Sequence, residues 1–149
     1  PTTEYFSKQL RLFLLYLKSE YGQVPITTIV LDSEATHFHN RLLADNIPHS
    51  LAVKGPGSVV EGVQHLQSLF YKKYFFIYKQ NSIKHITDNG ELIYSSKDEG
   101  ILELESYRYD LKTSAKTGKE AYVKENDHNI DATRYLLENW KNQDKCPVV

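Results

Sequence analysis

Apolar positions recur at helical spacing in three long stretches of the chain. In residues 3 to about 20, Phe6, Leu10, Phe13, Leu14 and Leu17 form one stripe, and Lys8, Arg11 and Lys18 fall mainly outside it. Thr2 or Thr3 supplies a cap, Glu4 sits in the first turn and Gly22 is a natural stop. The second stretch opens with Ser58 and Glu61 at capping-box spacing and carries Val59, Val63, Leu66 and Phe70 on one face. The third is NDHNIDATRYLLENW, residues 126–140. At about 100° per residue, Ile130, Thr133, Leu136, Leu137 and Trp140 share one side, and Asp127, Asp131, Arg134 and Glu138 line another. A shorter helix is expected within residues 33–46, with Phe38, Leu42 and Leu43 inward.

Between these helices the pattern changes to strand-like runs. ITTIVLD, residues 26–32, is β-branched and follows Pro25; HSLAVK, residues 49–54, is a short second strand. YFFIYK, residues 74–79, is continuously apolar, as a central strand should be. Asp88-Asn89-Gly90 makes a hairpin-type turn between IKHI and ELIY, with a short helix as the other option in residues 81–100. ILELESYRYD, residues 101–110, resumes an alternating pattern, and residues 112–127 read as a polar, lysine-rich loop. The series predicts an α/β protein. No strand precedes the first helix, so the pattern starts in the middle of an α/β series.

At 149 residues, with 40% of them hydrophobic, the chain has enough apolar surface for one ordinary core and is expected to form one domain. Eleven tyrosines and six phenylalanines make that core aromatic. No apolar run reaches membrane-spanning length, and the start of the chain lacks the pattern of a signal peptide. The single cysteine, Cys146, cannot form an internal disulfide and fits a reducing cytosol. A net charge of −1 gives no bulk attraction to nucleic acid or to an acidic membrane. An enzyme that cuts phosphodiesters through acidic metal ligands nevertheless carries negative charge where its metals sit, so the balance leaves that chemistry open.

Two acidic clusters stand out. Asp32 ends the strand-like run 26–32, the carboxyl edge where ligand sites form in α/β sheets, and Glu34 lies two residues beyond it. Asp127, His128 and Asp131 load the first turn of the last helix, with His128 about 60° from Asp131 in projection. A plain reading covers both: Asp32 or Ser33 caps the following helix, Asn126 or Asp127 caps the last one, and Asp131 pairs with Arg134. The chemical reading is that carboxylates from a strand end and a helix hold two divalent ions about 4 Å apart for phosphodiester hydrolysis. Lys54, between Val53 and Gly55, could approach a phosphate, but the Walker spacing is absent and a turn before a helix explains the stretch. Lys112, Lys116, Lys119 and Lys124 form the densest local basic patch, which a solvated loop also explains.

Four blocks occur in order: VLDSEA, VKGPGSVVEGVQHLQSL, ILELESYRYD and TGKEAYVKENDHNIDATRYLLENW. Together they resemble the C-terminal nuclease domain of the large terminase subunit of tailed double-stranded DNA bacteriophages, over residues 26–140. DHNIDATRY is the most specific piece and KGPGS opening a helix the next. The resemblance implies an RNase H-like fold lacking its first strand or strands, and a metal-dependent endonuclease that cuts concatemeric double-stranded DNA during packaging. It implies Mg²⁺ or Mn²⁺ as cofactor, with two ions in the complete domain. Asp32 and Asp131 match the family's catalytic aspartates, and His128 matches the histidine that supports the metal site. A further family aspartate lies on a first strand that this chain does not contain; Glu34 and Asp127 are the carboxylates near enough in sequence to stand in for it. Lys54, Lys116 and Lys119 are the candidate DNA contacts. In the family an ATPase motor precedes the nuclease; no Walker segment is present here, so residues 1–149 read as one truncated nuclease domain. The implied partners are duplex DNA, the portal protein, the small terminase subunit and the ATPase domain of the same full-length chain, in the cytoplasm of an infected or lysogenic bacterium. The competing readings are a non-catalytic docking module of the packaging motor, another RNase H-like nuclease or resolvase, and a domain that binds a small phosphorylated ligand through the Lys54 turn.

Overall fold

A computed structural model describes residues 1–119, 121–125 and 127–142. Asn126 and Cys146 lie outside the described residues. The protein is mixed α/β, with six helices and two two-stranded sheets among the described residues. The chain divides into two compact units, one of Pro1–Leu51 with Asn81–Asp98 and one of Ala52–Gln80 with the chain from Glu99 onward. No helix among the described residues is long and apolar enough to cross a membrane.

The first unit is built on α1 (Thr3–Tyr21), whose first turn is closed by the Thr2 hydroxyl accepting the Tyr5 N–H at 3.2 Å. It packs against α2 (Thr36–Ala44), where Leu42 is fully buried. Asp45 joins the two helices: it accepts from the buried Ser7 hydroxyl and from Arg41 Nε at 2.8 Å, while its carbonyl accepts from Arg11 Nη2 at 2.9 Å. The Arg41 hydrogen bond, then the Ser7 bond, hold the Asp45 carboxyl below the usual carboxylate range.

β1 (Val30–Leu31) and β2 (Ser50–Leu51) pair in parallel, with α2 as their crossover. The long strand expected over 26–32 is paired only at its end. Residues 25–29 instead line an apolar groove of about 650 Å³ with Leu14 and Leu15 of α1. His49 donates from Nδ1 to the Ile47 carbonyl, which leaves its Nε2 to accept from His39 Nδ1 at 2.8 Å and ties α2 to the approach to β2.

The turn at Asp88-Asn89-Gly90 does form a hairpin, between β3 (Ile83–Ile86) and β4 (Leu92–Tyr94), which removes the short-helix option. Gln9 seats it on α1: the side-chain amide donates to the Ile86 carbonyl at 3.0 Å and accepts the Ile86 N–H at 2.7 Å, as a neighbouring strand would.

The second unit packs α3 (Ser58–Tyr71) and α4 (Glu99–Ser106) against α6 (His128–Asn142), with Val63, Tyr122 and Ile130 at the centre of the core. Gly57, at φ +77°, occupies the cap position of α3 in the left-handed region that favours glycine. Ser58 is therefore the first helical residue, not the cap, and the capping box read from its spacing to Glu61 does not form.

Two further expectations change here. Residues 101–106, expected to alternate as a strand, belong to α4, because Leu104 packs on the Val63–Tyr122–Ile130 core and Glu103 reaches α6. Within the lysine-rich stretch, α5 (Leu111–Thr117) forms: Asp110 caps it by accepting the Thr113 N–H at 3.0 Å, and Gly118 ends it. Residues 74–79 make no strand pairing among the described residues, and Phe76 and Tyr78 are 76% and 84% exposed. A central strand needs a hydrogen-bonding neighbour on each side, and among the described residues no strand pairs with this run.

Candidate functional site

The first turn of α6 is fixed from two directions. The Asp127 carbonyl accepts the Asp131 N–H at 2.8 Å, so Asp127 stands where an N-cap residue stands. Glu103 of α4 closes the same turn from outside. Its Oε1 accepts the Ile130 N–H and its Oε2 accepts Asn129 Nδ2, both at 2.8 Å, and the side chain is buried. The Ile130 N–H is one of the four donors that a helix start leaves without an internal partner, and a carboxylate there also complements the helix dipole.

Asp131 follows one residue later. Arg134 grips its Oδ1 through Nη2 at 2.7 Å and Nε at 3.3 Å, while Oδ2 takes no part in that pair. The two side chains differ in exposure, 31% for Asp131 and 6% for Arg134. Arg134 Nη1 also donates to the Ser58 carbonyl at 3.2 Å, and the guanidinium lies 5.0 Å from the Tyr135 ring centroid. Gly62 of α3 makes room for this side chain. A Cβ at that position would meet Arg134 Cγ and Cδ at 2.6 Å.

Tyr107 reports the electrostatic character of the region. Its pKa is pushed up to about 12, first by burial and then by the negative charge of Asp131, with Asp127 and Glu103 adding to it and Arg134 opposing. The ring is stacked on Tyr122 at 5.0 Å, and Tyr109 stacks on Tyr122 at 4.6 Å.

The remaining candidates are distributed as follows. His128 opens α6 and is exposed. Lys54 lies in the same unit, with Nζ 5.3 Å from the Tyr135 ring centroid. The turn before α3 is closed by the Ser58 N–H donating to the Gly55 carbonyl. Lys116 is in the last turn of α5, and Lys119 follows that helix with its N–H on Thr117 Oγ1; both are exposed. Asp32 and Glu34 belong to the first unit. Asp32 stands just past β1, half-buried, with Oδ1 accepting the Glu34 N–H at 2.9 Å and its carbonyl accepting the Ala35 N–H at 3.0 Å. It closes the turn into α2 and does not cap that helix, whose cap position is Ala35.

Comparison with protein-family models, with curated proteins and with solved structures finds no match to this chain. The donor chemistry at Asp131 is that of a hard oxygen ligand, which suits Mg²⁺ or Mn²⁺ and not a soft, thiolate-seeking ion. Among the described residues, no three His, Cys, Asp or Glu side chains form one metal-sized group.

The Asp131–Arg134 pair expected from the i, i+3 spacing forms, while Glu103, which anchors the turn beside it, is not singled out by the sequence pattern. Glu103 sits inside ILELES beside a second carboxylate, Glu105, and nothing in the spacing distinguishes the two. Arg134 was assigned to the polar stripe of its helix, yet it is buried, and Leu136, assigned to the apolar stripe, is 43% exposed.

Proposed function

We propose that this chain is the metal-dependent nuclease domain of a phage DNA-packaging terminase, of RNase H-like fold, hydrolysing phosphodiester bonds of concatemeric duplex DNA. The observation that carries the reading is Asp131: a partly exposed carboxylate whose one oxygen is held by a buried arginine, on a helix whose first turn is anchored by Glu103. The ordered blocks ending in DHNIDATRY add the family resemblance, and the parallel β1–α2–β2 unit is compatible with the fold.

In this reading Asp131 would hold Mg²⁺ or Mn²⁺, with His128 supporting the site at the start of α6, and Asp32 is the further ligand that the family resemblance implies. The bound ions would supply the charge that activates water and stabilises the departing oxygen. The chain's own residues do the rest: Glu103 fixes the turn that carries Asp131, and Lys54, Lys116 and Lys119 meet the phosphate backbone. The portal protein, the small terminase subunit and the ATPase domain are the partners the reading implies, in the cytoplasm of the bacterial host.

Calorimetric titration with Mn²⁺ tests it. Wild-type chain is expected to give a binding isotherm that Asp131→Ala abolishes and Asp32→Ala weakens, and nicking of supercoiled plasmid with Mn²⁺ is expected of the full-length protein. Binding that survives Asp131→Ala unchanged removes the nuclease reading and leaves the docking module of the packaging motor as the better account.

A further inference from the structure

We propose that Arg134 is the positioning residue of the Asp131 carboxylate, an inference that rests on the metal-site reading above. The pair is three residues apart on one helix, a spacing at which surface charges meet routinely and contribute little. Arg134 is different in being buried. Its guanidinium is withdrawn from water and compensated by two bonds to Asp131 Oδ1, one to the Ser58 carbonyl and the face of Tyr135. An apolar side chain of similar volume would fill this space without the cost of desolvating a charge, so packing alone does not account for an arginine here.

The fork geometry supplies the function. Two donors from one planar group hold Oδ1 and thereby restrict both side-chain torsions of Asp131, while Oδ2 is outside the pair. A carboxylate ordered in this way loses less freedom when a cation binds. The positive charge acts in the opposite sense, because it repels an incoming cation. Ordering and repulsion predict opposite effects of removing the guanidinium, so the sign of the effect identifies the role. Gly62 is the third member of the device. The absence of a Cβ lets the Arg134 stem lie against α3, so the orientation of Asp131 depends on an uncharged position in another helix.

The test measures Mn²⁺ affinity by calorimetry alongside the thermal melting midpoint in the wild-type chain and in Arg134→Met, Arg134→Lys, Gly62→Ala and Asp131→Asn. Outer-shell partners of metal ligands typically contribute 10–100-fold in affinity. Arg134→Met is expected to weaken Mn²⁺ binding by about 10-fold, with partial rescue in Arg134→Lys. Gly62→Ala, which changes no charge, is expected to weaken it in the same direction by displacing the Arg134 stem. If Arg134→Met does not fold, Arg134→Lys and Gly62→Ala carry the decision. Folded variants that bind Mn²⁺ as tightly as wild type, or more tightly, overturn the positioning role while Asp131→Asn still abolishes binding. Retained binding in Asp131→Asn, or none in wild type, removes the metal-site reading and this inference with it.

Discussion

At Glu103 a single carboxylate satisfies two donors, the buried Ile130 N–H and the side-chain amide of the exposed Asn129. Replacing it with alanine leaves a helix-start N–H buried and unpaired, a loss of about 1–3 kcal/mol. Glu103→Ala should therefore lower the urea midpoint, and Glu103→Gln, which keeps one acceptor oxygen, should recover part of the loss; equal midpoints for wild type and Glu103→Ala would show that Glu103 does not anchor α6. This residue also shows how a site can escape a reading of spacing. Asp131 and Arg134 were visible as a pair because i and i+3 face each other on any helix. Glu103 acts from another element, across 27 positions of chain, and nothing in the sequence spacing encodes that reach.

Among the elements, helices were legible where an apolar stripe and local caps agreed, and strands where a turn signal lies between them. α1 follows its Thr2 cap and apolar period, and the hairpin follows Asp88-Asn89-Gly90, because both signals are local. The run at 74–79 has the composition of a central strand, but a strand is defined by its neighbours, and composition cannot supply them. α4 shows the reverse case, in which tertiary packing of Leu104 decides a segment whose own pattern suggests alternation. At the α1–α2 junction the pH dependence has a definite sign. The Asp45 carboxyl titrates lower in the folded chain than an ordinary aspartate, so the folded state binds that proton less readily than the unfolded chain. Its contribution is present above the ordinary carboxylate pKa and is lost as pH falls through the lowered value. Acid unfolding followed by circular dichroism should show this loss in wild type, and Asp45→Asn should flatten it; an unchanged acid limb would mean that the Arg41 and Ser7 bonds do not couple to folding.

For the whole molecule, a net charge of −1 makes association with duplex DNA a local matter. Without a bulk field, the nuclease reading requires a few lysines to meet phosphates, and Lys54, Lys116 and Lys119 are the ones assigned. Each phosphate neutralised releases counterions and contributes roughly −0.9 to the slope of log K against log salt, so three contacts give a slope of roughly −3. That is a shallow dependence compared with proteins that bind DNA through a basic face. Lys116→Ala with Lys119→Ala should reduce the slope by about 2 and weaken binding to all sequences alike, because phosphate contacts carry no base information. Fluorescence anisotropy of a labelled duplex, measured from low to physiological salt, reads both quantities. A slope that the double substitution leaves intact would place the DNA contacts on other residues. A slope much steeper than roughly −3 in wild type would mean that more cations take part than these three lysines provide.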